Sequence, residues 1–165
     1  MNINFLNNDN IDVYVNVKWL IRNCIKENSP HIFVKYMAIE DYYGKNDSGF
    51  NNYHIVQKKR LSEMTKEIKE LSYSEEEFIS LIQSFEKNGF DDNYPILLNK
   101  NFELVDGGHR LACCLYFGID KIKVSTNEKV FNLAMRDYSF KWFQDNNLSW
   151  LISIIKEKQE VVLNE

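Results

Sequence analysis

The sequence is poor in residues that interrupt regular structure, with 2 prolines and 6 glycines in 165 residues. That scarcity, together with well-mixed charge, excludes a collagen-like, fibrous or largely disordered chain. Cysteine is equally sparse: Cys24, Cys113 and Cys114 form neither a C-x-x-C pair nor a Cys/His metal spacing, and an odd count builds no disulfide framework. A reducing compartment is expected. An excess of positive charge is missing too, since 20 Lys and Arg stand against 24 Asp and Glu, a net charge of −4. No overall field exists to hold a polyanion, which argues against general DNA binding. No apolar run approaches the roughly 18 residues that span a bilayer, and no charged n-region with a following apolar h-region opens the sequence. A cytoplasmic protein that makes no use of the membrane is expected.

What is present is a composition of 44% hydrophobic, 14% aromatic and 27% charged residues, which describes one compact domain over residues 1–165 with a sizeable core. The first ten residues, rich in Asn and Asp, read as a weakly ordered leader. Alternation over Ile11–Val17 predicts a strand, and the spacing of Trp19, Leu20, Ile21 and Cys24 predicts a short helix ended by Asn28-Ser29-Pro30. Residues 31–49 have no clear period and end in the turn-rich Asn46-Asp47-Ser48-Gly49, so a functional loop is expected there. A helix is predicted over 50–70, with Tyr53, Val56, Leu61, Met64 and Ile68 as its apolar stripe.

Ser74 followed by Glu75-Glu76-Glu77 has the form of a capping box, and Phe78, Leu81, Ile82 and Phe85 repeat at helical spacing up to Asn88-Gly89. Strands over 94–98 and 102–105 flank a tight turn at Asn99-Lys100-Asn101. An apolar helix then runs to Phe117 and is closed by Gly118, with a short strand over 122–124. Helices over 130–138 and 141–158 are expected as C-terminal cover, with Trp19, Trp142 and Trp150 as core residues. The order predicts an α+β fold: a small mixed sheet with packed helices.

The feature that carries chemistry is Asp106-Gly107-Gly108-His109-Arg110, where a strand runs straight into a helix. Adjacent glycines let the backbone turn sharply and approach a ligand, and a helix start offers free amides and a positive dipole end to an anion. The segment reads as a phosphate cradle. Arg110 is suited to fork phosphate oxygens, His109 to donate or shuttle a proton, and Asp106 to hold a metal or accept a hydroxyl proton. The bland alternative is an ordinary Asp-Gly turn with a capping His-Arg pair.

The wider arrangement, with Pro95-Ile96 in the strand, the hairpin, Asp106-Gly107-x-His109-Arg110 and Ala112 in the first helical turn, resembles the ParB/sulfiredoxin superfamily over residues 75–124. The resemblance implies that fold for 1–165, with the core motif at 75–124 and helical cover at 125–165. A sulfiredoxin-like activity is disfavoured, because Gly108 stands where those enzymes carry a reactive Cys before His-Arg. Cys113 and Cys114 lie on an apolar helix and read as inert core thiols. The ParB partition proteins add a helix-turn-helix, which has no evident counterpart here. The box is most similar to the D-G-H-H-R form of ParB-like free amino acid kinases, from which it departs by Gly108 in place of the first His.

That resemblance implies a nucleotide-binding phosphotransferase, with ATP or another nucleotide and Mg²⁺ as cofactors and a small hydroxylated metabolite as acceptor. Gly107, Gly108, His109 and Arg110 would hold the phosphates, and Asp106 would hold Mg²⁺ or the acceptor. Glu40 and Asp41 are candidate bases or Mg²⁺ ligands, and Lys58 and Arg60 candidate phosphate contacts. Successive helix residues point about 100° apart, so Lys58, Lys59 and Arg60 cannot all face one site. His31 and His54 have no ligand partner at i+4 and read as structural or surface imidazoles. The rival class is a non-catalytic ParB-like module that binds DNA or a protein partner.

Overall fold

A computed structural model describes residues 10–64, 73–126 and 138–165. The expected leader over 1–9, the expected last turn of the 50–70 helix with Ile68, and most of the expected 130–138 helix lie outside the described residues.

The alternation at the start of the chain forms β1 (Ile11–Asn16), which leads into α1 (Val17–Leu20) and a π-helical stretch, Ile21–Ile25. Asn16 makes the turn between them, its side chain accepting from the Trp19 amide. Next come α2 (His31–Tyr42) and α3 (Gly49–Ser62), then α4 (Glu75–Asn88). The hairpin strands are β2 (Ile96–Leu98) and β3 (Leu104–Asp106), followed by α5 (Gly108–Tyr116) and β4 (Lys121–Thr126). α6 (Phe140–Asp145) and α7 (Ser149–Asn164) complete the described chain.

The fold is α+β around a four-stranded mixed sheet in the order β1-β4-β2-β3. β4 pairs antiparallel with β1, with Val13 opposite Val124, and parallel with β2, with Ile96 opposite Val124. β3 returns antiparallel on β2. Ile96, Leu98, Ile122 and Val124 are fully buried, and Leu111 to Cys114 of α5 bury against the same core.

α2 overturns the expectation of a loop over residues 31–49. Ile32, Phe33, Val34, Met37, Ala38 and Ile39 are all buried, and so are His31 and Lys35. A helix covered on nearly every side has no apolar stripe to repeat, so its period is invisible in sequence. The approach of α3 to α2 explains Gly49: a Cβ there would lie 2.0 Å from the Met37 carbonyl oxygen. Other boundaries shift modestly. The expected 141–158 helix is divided at Asn147, which takes a left-handed backbone (φ 60). Trp142 is buried as expected, whereas Trp19 and Trp150 are about half exposed and do not belong to the core. Trp19 sits on the short first helix and Trp150 at the open start of α7, so helical spacing there marked an outer face.

Candidate functional site

β3 ends at the exposed Asp106, and Gly107 turns the chain with φ 103, a left-handed conformation that side chains rarely adopt. A Cβ at Gly107 would also lie 2.7 Å from Ile96 Cδ1. The next residue opens α5, so the glycine pair does form the strand-to-helix corner that the sequence implies. Gly107 at its N-cap has no side chain to cap it. Among the described residues no side chain accepts from its first amides, the groups used at anion sites.

Against this corner stands a charge that sequence reading missed. The Lys35 ammonium of α2 lies 2.8 Å from where a Gly108 Cβ would be, and His31 Nε2 lies 3.9 Å from the same point. Gly108 thus leaves room for a cation on the first turn of α5. Lys35, His31 and His109 are all buried. Arg60 of α3 completes the group, its guanidinium 4.4 Å over the Tyr138 ring and its Nη1 donating to Gln57 Oε1 at 3.0 Å.

These four basic groups act on one another. Burial lowers the proton affinity of His31 and His109 well below the ordinary histidine range, and their cationic neighbours lower it further. Burial and then Arg60 push Lys35 down, with Asp106 opposing. Burial also lowers Arg60. Among the described residues neither Lys35 nor Arg60 has a carboxylate within ion-pair distance. Among the described residues His31 Nδ1 and Arg60 Nε are buried without a hydrogen-bond partner, the Tyr138 hydroxyl acting on another part of the Arg60 guanidinium. Cations, a positive helix end and unpaired donors are mutually unfavourable unless an anion joins them.

His109 is held by aromatic groups. Its Nε2 lies 2.9 Å from the Tyr53 hydroxyl, and its ring is 4.6 Å from Tyr73 and 4.7 Å from Phe78. Burial raises the Tyr53 phenol while it lowers His109, and the two share a hydrogen bond whose donor is set by the imidazole tautomer.

The remaining expected residues separate into two groups. Lys58 is exposed and lines a cleft between α3 and the start of α4, whereas Arg60 turns inward, as their angular separation requires. Arg110 is engaged at the corner itself: Nη1 donates to the Tyr94 and Pro95 carbonyls, and Nη2 pairs with Asp106 at 3.3 Å and lies 3.0 Å from where a Gly107 Cβ would be. Glu40 receives Lys158 of α7 at 2.8 Å, and Asp41 Oδ2 accepts from the Phe50 amide at 2.8 Å in the first turn of α3. Neither acidic residue is among the charges acting on His31, Lys35 or His109. Cys113 and Cys114 are fully buried, and burial pushes both thiols up, Cys114 to about 12, which disables them as nucleophiles.

Mg²⁺ takes oxygen ligands and is commonly held by one or two carboxylates together with substrate phosphates and water. Asp106 acts on Lys35 from the rim and Glu63 acts on Arg60, but Asp106 pairs with Arg110 and Glu63 accepts from the Trp142 indole. Among the described residues no three His, Cys, Asp or Glu side chains gather as a metal site. This donor set fits Mg²⁺ only as a companion of bound phosphates, with Asp106 as its protein oxygen.

Arg60 is an expected phosphate contact and His31 an expected structural imidazole, whereas Lys35, Tyr53 and Gln57 are absent from the expected site; a sequence signal for them exists, since His31 and Lys35 are four apart and Tyr53, Gln57 and Arg60 follow at i, i+4 and i+7, each set on one helical face. Comparison with protein-family models, curated proteins and solved structures finds no match.

Proposed function

We propose that the protein binds the phosphates of a nucleotide, ATP or a related one, at the N-terminus of α5 and transfers a phosphoryl group to a small hydroxylated metabolite. The observation that carries the reading is the cluster of buried His31, Lys35 and His109 with part-buried Arg60 beside a helix start whose N-cap is a glycine, Lys35 and Arg60 having no ion pair among the described residues. Phosphoryl transfer needs cations around the moving group more than it needs covalent chemistry from the protein. Lys35 and Arg60 supply them, the α5 amides hold the terminal oxygens, and His109 offers a ring N–H. Asp106 is the rim carboxylate placed to orient an acceptor hydroxyl or a phosphate-borne Mg²⁺. The resemblance of the Asp106–Arg110 box to ParB-like kinases points the same way, with Arg110 bracing the loop instead of clamping phosphate.

Thermal denaturation with ATP, ADP, CTP and GTP, with and without Mg²⁺, tests binding. A ligand held at about 100 times its Kd adds about 2.7 kcal/mol to the native state. At least one nucleotide raises the Tm of the wild type and has no effect on Lys35→Met; no shift with any of them would overturn the reading. Phosphorus NMR with candidate hydroxylated acceptors then reads transfer, which Asp106→Asn abolishes.

A second reading, a ParB-like binding module that uses nucleotide without turnover, is favoured by the engagement of Glu40 and Asp41 in structural bonds. It gives the same Tm shift with no phosphorylated product. If DNA is its partner, a gel shift is seen that weakens steeply with salt.

A further inference from the structure

We infer that Lys35 is a carbamylation site: in the ligand-free protein its amine takes up carbon dioxide and becomes a carbamate, the anion that the basic junction of α2, α3 and α5 lacks. The inference goes beyond nucleotide binding and needs no nucleotide, since it rests on where Lys35 stands and on what surrounds it.

Lys35 lies in the middle of α2 and is only 4% exposed. Among the described residues it has no ion pair. Arg60 and Asp106 are the charges that act on it, and Asp106 is turned to Arg110 with most of its side chain in water. Nζ stands over Gly108, 2.8 Å from where a Cβ would be, with Leu104 Cδ2 at 3.5 Å and His31 Nε2 at 3.9 Å from the same point. The missing side chain of Gly108 thus leaves space beside the amine, walled by a leucine methyl and an imidazole. A buried amine in this setting escapes its conflict with Arg60 by shedding its proton or by turning into an anion.

Carbamate formation does both. A reactant must be small and uncharged to reach a nitrogen that shows so little surface, and carbon dioxide is both. Burial and then Arg60 favour the free amine, whereas an exposed lysine, with an ordinary value of about 10.4, holds its proton in all but roughly one molecule in a thousand at pH 7.5. The Nζ lone pair attacks the carbon, a C–N bond forms, and one carbon–oxygen π bond becomes a lone pair on oxygen. The nitrogen then releases one proton to the His31 imidazole. A neutral amine, a neutral imidazole and carbon dioxide thus give a carbamate and an imidazolium, with no oxidant or reductant. The new anion lies at the start of α5 within the influence of Arg60, where the helix dipole and a fork of N–H donors favour negative charge. His31, which burial and its cationic neighbours keep neutral, gains a partner for its charge.

Carbon-13 NMR of the protein in labelled bicarbonate, followed by ethyl trapping with triethyloxonium and peptide mapping, tests this. Wild type shows a carbamate resonance that is absent from Lys35→Met and present in Lys58→Met, a change at an exposed lysine of α3. Trapping places the ethyl carbamate on Lys35 of the wild type, which locates the group even if Lys35→Met does not fold. The yield at Lys35 exceeds that at Lys58 by about tenfold or more, because the exposed amine is protonated. No trapped ester at Lys35, or a yield there no higher than at Lys58, overturns the inference. Inorganic tripolyphosphate separates it from the nucleotide reading, since phosphate held by the same cluster lowers the yield at Lys35. A trapped ester that tripolyphosphate leaves unchanged bears the inference out and counts against phosphate binding at Lys35. A nucleotide-induced rise in Tm without a trapped ester leaves phosphate binding standing and overturns the inference.

Discussion

Burying His31 among Lys35, Arg60 and His109, beside the Tyr138 ring, lowers its affinity for protons, first by desolvation and then through those neighbouring charges. The sign of the consequence is fixed by linkage. As pH falls through the ordinary value of 6.5, the unfolded chain takes up a proton that the folded chain refuses, so stability drops with pH until the depressed folded value is reached. One such group contributes at most about 1.4 kcal/mol per pH unit. His31→Phe keeps the aromatic contact with Tyr138 and removes the unpartnered Nδ1. Urea denaturation at pH 7.5 and pH 5.5 checks this: the variant loses less stability on acidification than wild type, and equal slopes would show that His31 protonates freely in the fold. An anion reverses the shift by favouring the charged imidazole, so ligand binding is accompanied by proton uptake, read as a dependence of calorimetric heat on the buffer's ionisation enthalpy.

At the level of elements, the reach of sequence reasoning follows from how each segment is exposed. α4 was legible because one face packs through Phe78, Ile82 and Phe85 while the other meets water, and because Ser74 and Glu77 cap it reciprocally at 3.1 and 2.7 Å. Ser74→Ala costs about 1 kcal/mol, visible as a lower Tm. The hairpin and the glycine corner were legible through their turn residues. α2 was not, because burial on nearly all sides erases its period; Lys35 went unseen with it, and His31 was read only as a structural imidazole. Gly49 was legible only as a turn residue, since its function depends on a partner distant in sequence: the Met37 carbonyl and the Asp41 side chain occupy the space of a Cβ. Gly49→Ala forces α3 away from α2 and costs about 3 kcal/mol or more. Because Asp41 tethers the same turn through the Phe50 amide, Asp41→Ala loosens the junction in the same direction by less. Chemical denaturation of both variants gives the ranking, and a harmless Gly49→Ala would mean that the two helices are free to separate.

For the whole molecule, the cation cluster sets a conflict between stability and ligand affinity. His31 and Lys35 belong to α2, Arg60 to α3 and His109 to α5, and α2 packs against both of the others, so basic groups gather at the central helix junction with Lys35 and Arg60 acting on each other and on the two imidazoles. α7 holds the far side of α2 through the Lys158–Glu40 pair and is tied to the chain start through Gln159 and the Lys26 carbonyl, which keeps the junction closed. Replacing a buried charge that lacks a partner with an apolar side chain of similar length removes a desolvation penalty. Lys35→Met in the ligand-free protein therefore raises stability by about 1–2 kcal/mol, although it deletes a residue from the middle of the fold. The same substitution removes the ligand-induced rise in Tm, so the order of stabilities inverts when nucleotide is added: the variant is the more stable protein alone, and wild type is the more stable one with ligand. Denaturation curves of both proteins with and without nucleotide give the four values needed. A variant less stable than wild type in the absence of ligand would mean that Lys35 is satisfied within the fold, and that its burial at the start of α5 serves packing and not an anion.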